Sequence, residues 1–128
     1  MRRPYVITIP VVPPSLNEFK RWPWQRQERE RRAFQEQVWA SLNEHGNRCP
    51  RGLGRVELRA VLVFRMARRR DSDNFGALLW KWTQDVLTSE GVIPDDTHDR
   101  CTAYPPRIVV GEVEQTVIVV REVVEVAA

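Results

Sequence analysis

The chain has 128 residues, of which 42% are hydrophobic, and a formal net charge of +3. That length and apolar content fit one globular domain with a core of its own and exclude a disordered tail. So small a net charge singles out no class of partner, and the information lies in how the charges are distributed along the chain.

The segment from Pro4 to Val12 is rich in β-branched residues and predicts a strand. Pro13 and Pro14 end it, because proline cannot donate to a ladder. From Pro23 to Glu44 the period turns helical, with Phe34, Val38 and Leu42 in one stripe, Trp39 beside it, and Arg, Glu and Gln opposite. Gly46, Pro50, Gly52 and Gly54 then mark a loop. Val56, Leu58, Ala60, Leu62 and Phe64 alternate as one face of a strand. That strand runs into Arg65, Arg68, Arg69 and Arg70, a basic run without acids and a candidate phosphate-binding surface.

A second helix is predicted over 74–89, with Phe75, Leu78, Leu79, Trp82 and Val86 as its buried stripe and Gly91 placed to end it. Two late strands follow, near 107–110 and 115–124, with Gly111 in a tight connection between them. The order β-α-β-α-β-β predicts an α+β (α/β-like) fold. It is a single small domain over 1–128, one mixed sheet of about four strands packed with two helices. The apolar run at the N-terminus is short and lacks a small-residue cleavage site, so no signal peptide is expected. Cys49 and Cys101 therefore read as free thiols in a reducing compartment. No stretch approaches the roughly 18 apolar residues of a membrane span. The expectation is a cytoplasmic protein without membrane contact.

The acids around the second helix carry the chemistry. Asp71 and Asp73 stand two apart, a spacing that points both carboxylates to one side of an extended segment. Two anions so placed suit a hard divalent cation, which takes carboxylate oxygens and keeps several waters. Asp95 and Asp96 follow the helix, and a strand–helix–turn unit that folds back is expected to hold both acidic ends on one sheet edge. The competing reading is local: Asp73 caps a helix beginning at Asn74, Asp95 makes the turn after Pro94, and Asp71 caps nothing. His45 and His98 are too far apart to form a ligand motif. Trp82 reads as core, whereas Trp80 lies off the stripe and is free to stack on a base or to serve a dimer contact.

The order of an Arg-rich run, Asp71-Ser72-Asp73-Asn74, a helix, and Gly91-Val92-Ile93-Pro94-Asp95-Asp96 resembles the RusA-type Holliday junction resolvases. Pro13-Pro14-Ser15-Leu16-Asn17 is similar to that family's early proline-proline-serine motif. The resemblance covers roughly residues 5–99 and implies a Mg²⁺-dependent (Mn²⁺ substituting) homodimeric endonuclease, bacterial or phage-encoded, that cuts four-way junction DNA in recombination and repair. It implies metal ligands and catalytic acids at Asp71, Asp73 and Asp96, with Asp95 a neighbour. It implies DNA contacts from Ser15, Asn17, Arg68, Arg69, Arg70 and Asn74. The family's functional lysine falls on Ala77 when counted without gaps. It falls on Lys81 if about four residues are inserted after Asn74, near one helical turn. Two alternatives stand beside the nuclease: a branched-DNA-binding module of the same fold that does not cut, and a structural domain whose acids are only caps and turns.

Overall fold

The computed structural model describes residues 3–95, 97 and 99–124. It contains β1 (Tyr5–Ile9), α1 (Leu16–Arg21), α2 (Trp24–Leu42), β2 (Val56–Phe64), α3 (Ser72–Ser89), β3 (Cys101–Ala103), β4 (Arg107–Val110) and β5 (Gln115–Glu122). The architecture is the expected α+β one, with five strands and three helices where about four and two were predicted. The additions are α1, just after the paired prolines, and the three-residue β3. Among the described residues no helix is long and apolar enough to cross a membrane.

One mixed sheet organises the chain. β5 lies between β1 and β2 and is antiparallel to both. The other edge of β2 is shared by two parallel partners, β3 along Val56–Leu58 and β4 along Val61–Phe64. β4 and β5 therefore flank β2 rather than each other, and the connection between them passes the end of β2, where Gly111 N–H donates to Phe64 O at 2.9 Å.

The predicted alternation in β2 holds: Val56, Leu58, Ala60, Leu62 and Phe64 are all buried. They join Ile7, Ile9 and Ile118 of the sheet and Val38, Leu42, Leu79 and Leu87 of the helices in one core. Trp82 packs edge-on to Phe19 of α1 at 5.6 Å and tilted to Phe34 of α2 at 5.7 Å, so one ring joins the three helices. The predicted stop at Gly91 also holds. Gly91 takes φ +73° and donates to Thr88 O, while Val92 donates to Leu87 O, the paired bonds of a left-handed helix stop.

α3 runs back along the sheet and is tied to the returning chain at three heights. Ser72 Oγ donates to Pro106 O at 2.6 Å, Trp80 Nε1 to Tyr104 O at 2.8 Å, and Gln84 Nε2 to Cys101 Sγ at 3.3 Å. Trp80 is thus buried at 9% exposure with its indole N–H satisfied, not the free aromatic expected from its place off the stripe.

Both cysteines are buried free thiols. Burial pushes the Cys49 thiol up to about 11 from an ordinary 9.0. Burial, and then the neighbouring Cys49 and Glu44, also raise the Tyr5 hydroxyl, which lies within hydrogen-bond reach of the Ser41 and Asn47 carbonyls. Folding favours the protonated forms, so their contribution is complete below the unfolded-state values and disappears as pH climbs through the folded ones. Unfolding free energy under reducing conditions is expected to fall by about 2 kcal/mol between pH 9 and 11, from a shift of about two units at Cys49. Urea titrations across that range check it, with Cys49→Ala giving a shallower loss.

Candidate cation and nucleic-acid site

The site is assembled where β2 ends, the arginine run turns and α3 begins. Asp71 is extended, with φ −92° and ψ 120°, and is the N-cap of α3. Its Oδ1 accepts the Asp73 N–H at 3.0 Å, satisfying one of the donors that a helix start leaves free. This corrects the expectation that Asp71 caps nothing and that the helix begins at Asn74 with Asp73 as cap. The helix starts two residues earlier and Asp73 lies in its first turn. The two carboxylates are neighbours across a cap, not successive same-side residues of a strand, and both side chains are exposed.

Asn74 connects this start to the early motif. Its Oδ1 accepts the Asn17 N–H at 3.1 Å across 57 positions of sequence. Ser15 caps α1 by accepting from Glu18 N–H at 3.1 Å. The proline-serine turn and the aspartate pair are therefore parts of one surface. Their polar atoms have structural work as well: the Ser15 hydroxyl and the Asn74 carbonyl are both occupied as acceptors.

The arginines divide into two kinds. The Arg70 guanidinium lies 3.8 Å over the Phe64 ring and donates to Met66 O at 2.8 Å. Burial, followed by repulsion from Arg68, lowers its pKa, while Glu114 acts the other way. Phe64 in turn meets Phe75 edge-to-face at 5.2 Å. Arg70 is thus a brace that holds the loop onto the start of α3. Arg68 and Arg69 are exposed, and among the described residues neither makes an ion pair. A depression of about 590 Å³ lies among Arg65, Met66, Arg68 and Arg70, with Glu114 on its wall.

Lys81 shares a second depression, about 390 Å³, with Asp73, Ala77, Trp80 and Gln84. It stands eight positions beyond Asp73, about 12 Å along the axis. Its ammonium reaches the other way, to Asp85 Oδ1 at 3.3 Å. An exposed pair of this kind contributes a few tenths of a kcal/mol. The early helix start leaves Lys81 two turns from the acids it was expected to join.

The second acidic pair lies elsewhere. Asp95 Oδ1 accepts from Thr97 N–H at 3.1 Å and lies 2.6 Å from Thr97 Oγ1, which is equally close to Asp99 Oδ1. The Asp95 side chain thus closes a local turn. α3 has 18 residues, or about 27 Å of axis, and its far end is tied to the start of β2 by Gly52 and Leu53 N–H bonds to Gly91 and Val92 O. Asp95 therefore sits at the opposite end of α3 from Asp71 and Asp73. Asp96 and His98 lie outside the described residues, and His45 is exposed in the loop after α2. Among the described residues no three metal-binding side chains converge. Asp71 and Asp73 alone are a hard, two-carboxylate donor set, which fits Mg²⁺ completed by waters and a substrate phosphate but not an all-protein cage.

Comparison with known proteins adds no relative: no protein-family model and no curated protein matches this chain.

The two roles open to Asp71 can be separated. Asparagine caps a helix about as well as aspartate, so Asp71→Asn is expected to change unfolding free energy by only a few tenths of a kcal/mol, whereas Asp71→Ala costs about 1 kcal/mol. Millimolar Mg²⁺ is expected to raise the melting temperature of the parent and not of Asp71→Asn, since a cation bound only by the folded state must stabilise it. A flat response in the parent would leave Asp71 a cap alone.

Proposed function

We propose that this chain is a Mg²⁺-dependent endodeoxyribonuclease for branched, four-way DNA, acting as a homodimer. The reading rests on the exposed aspartate pair that opens α3, which follows the exposed Arg68 and Arg69 and is bonded through Asn74 to the proline-serine turn. It agrees with the resolvase resemblance in the residues that both bring together: Asp71, Asp73, Asn74, Asn17, Arg68 and Arg69.

The chain's own groups divide the work. Arg68 and Arg69 hold phosphates flanking the scissile bond, with Arg70 keeping their loop in place. Asp71 retains its capping bond through Oδ1 and offers its second oxygen, with the Asp73 carboxylate, to a cation. Bound there, Mg²⁺ supplies the positive charge that makes water a nucleophile near neutral pH and stabilises the leaving oxygen. Lys81 adds positive charge to the groove beside Asp73.

The length of α3 sets a further condition. Acids at its two ends share one ion only when a second copy turns its α3 antiparallel, bringing the segment that carries Asp95 and Asp96 to the first copy's Asp71 and Asp73. A twofold dimer does this twice, which suits a substrate needing two symmetric cuts. The rival with a specific observation behind it is the structural one, since Asp71 caps α3 and Asp95 closes a turn.

Subunit mixing discriminates between these readings. Asp71→Asn and Asp96→Asn homodimers are each expected to leave a synthetic four-way junction uncut in Mg²⁺. Equilibrated together, they should recover about a quarter of the parental nicking, because half the dimers are mixed and each carries one intact site. Absence of recovery would refute the shared site, and absence of cutting by the parent over several junction sequences would refute the nuclease.

A further inference from the structure

The most exposed tryptophan lies on the corner between α1 and α2, away from the aspartates in sequence. Trp24 is 68% exposed in the first turn of α2. An indole this exposed offers a broad apolar face to a flat partner. Along the chain from Glu18 to Arg32, six Lys and Arg residues outnumber three Glu. Lys20, Arg21, Arg26 and Arg29 are all exposed, and among the described residues none of them makes an ion pair. The Arg26 guanidinium lies 4.1 Å over the Trp22 ring, which holds its charge at the corner. The acid nearest in sequence, Glu28, is taken up by Arg31 through bonds of 3.2 and 2.6 Å. A depression of about 420 Å³ runs from Trp24 past Arg29 and Arg32, with Glu28 and Glu36 also on its wall.

The helix register places this corner. Gln35 Nε2 donates to Trp82 O and Asn43 Nδ2 to Glu90 Oε1, both across 47 positions. α2 and α3 therefore run parallel at a constant offset, and the same offset brings Trp24 to the height of Asp71. The exposed ring and the aspartate pair belong to one end of the molecule.

We propose that the α1–α2 corner is a single-strand-binding patch in which Trp24 stacks on an unpaired base while Lys20, Arg21, Arg26 and Arg29 hold the adjoining phosphates. An aromatic platform within a basic surface is the chemistry that takes a nucleic acid strand without reading its sequence. The ligand class rests on the nuclease reading, which supplies the branched substrate. The patch guides the unpaired strand that leaves the junction centre.

Binding of a labelled oligothymidylate in EDTA, followed by fluorescence anisotropy, tests the patch without any cutting. Trp24→Ala is expected to weaken binding about 10-fold and Trp24→Phe to keep most of it. Arg29→Ala is expected to lower the slope of log Kd against log salt by about one, which Trp24→Ala leaves unchanged. Equal affinity of the parent and Trp24→Ala would overturn the patch, as would a parent that does not bind the oligonucleotide. A change of sedimentation in Trp24→Ala without a change in DNA binding would also overturn it, making the corner a protein interface. Trp24-dependent binding by a parent that cuts no junction would keep the patch and sink the nuclease. Cutting with Trp24-independent binding would do the reverse.

Discussion

The Trp82 ring holds the helical layer together. It is 3% exposed, touches Phe19 and Phe34, and its backbone carbonyl accepts from Gln35. An indole buries more apolar area than other side chains and leaves little room for alternative packings. On its other flank α3 is bonded to the Cys101–Pro106 stretch at three heights. A helix gripped on both sides neither slides nor turns, so groups at its ends are positioned by its length.

That makes α3 a spacer of fixed length between the groups at its two ends. One end presents two exposed carboxylates just after the exposed Arg68 and Arg69, and the other carries the turn closed by Asp95. Two carboxylates in one copy are too few ligands to enclose an ion. The parallel register of α2 and α3 adds a basic, aromatic corner at the same height as the carboxylates.

Much of the fold was legible because its signals are local. The alternation from Val56 to Phe64 identified the buried face of β2, the four-residue spacing of Phe34, Val38 and Leu42 the buried stripe of α2, and Gly91 the end of α3. α1 also had a signal, the Ser15-Leu16-Asn17-Glu18 capping pattern, which the two preceding prolines obscured. β3 had none: three residues form a strand there because Cys101 meets Val56, a contact that neither segment announces. At the site, Asp71 and Asp73 were legible as residues but not as cap and first turn, since that depends on where the helix starts. Arg68, Arg69 and Arg70 look alike in the sequence. They differ in the structure because only Arg70 has an aromatic ring beneath it.

Periodicity and charge order alone determined that this chain folds as a small α+β domain with acids on both flanks of a helix and arginines before it, because each of these is a property of neighbouring residues. Tertiary structure alone decided the rest. It set β2 between β5 and the paired edge strands, joined Asn17 to Asn74, turned Lys81 toward Asp85, and put Asp95 a helix length from Asp71. Such contacts depend on how distant segments share one core, and that is fixed only when apolar faces from the whole chain are buried together.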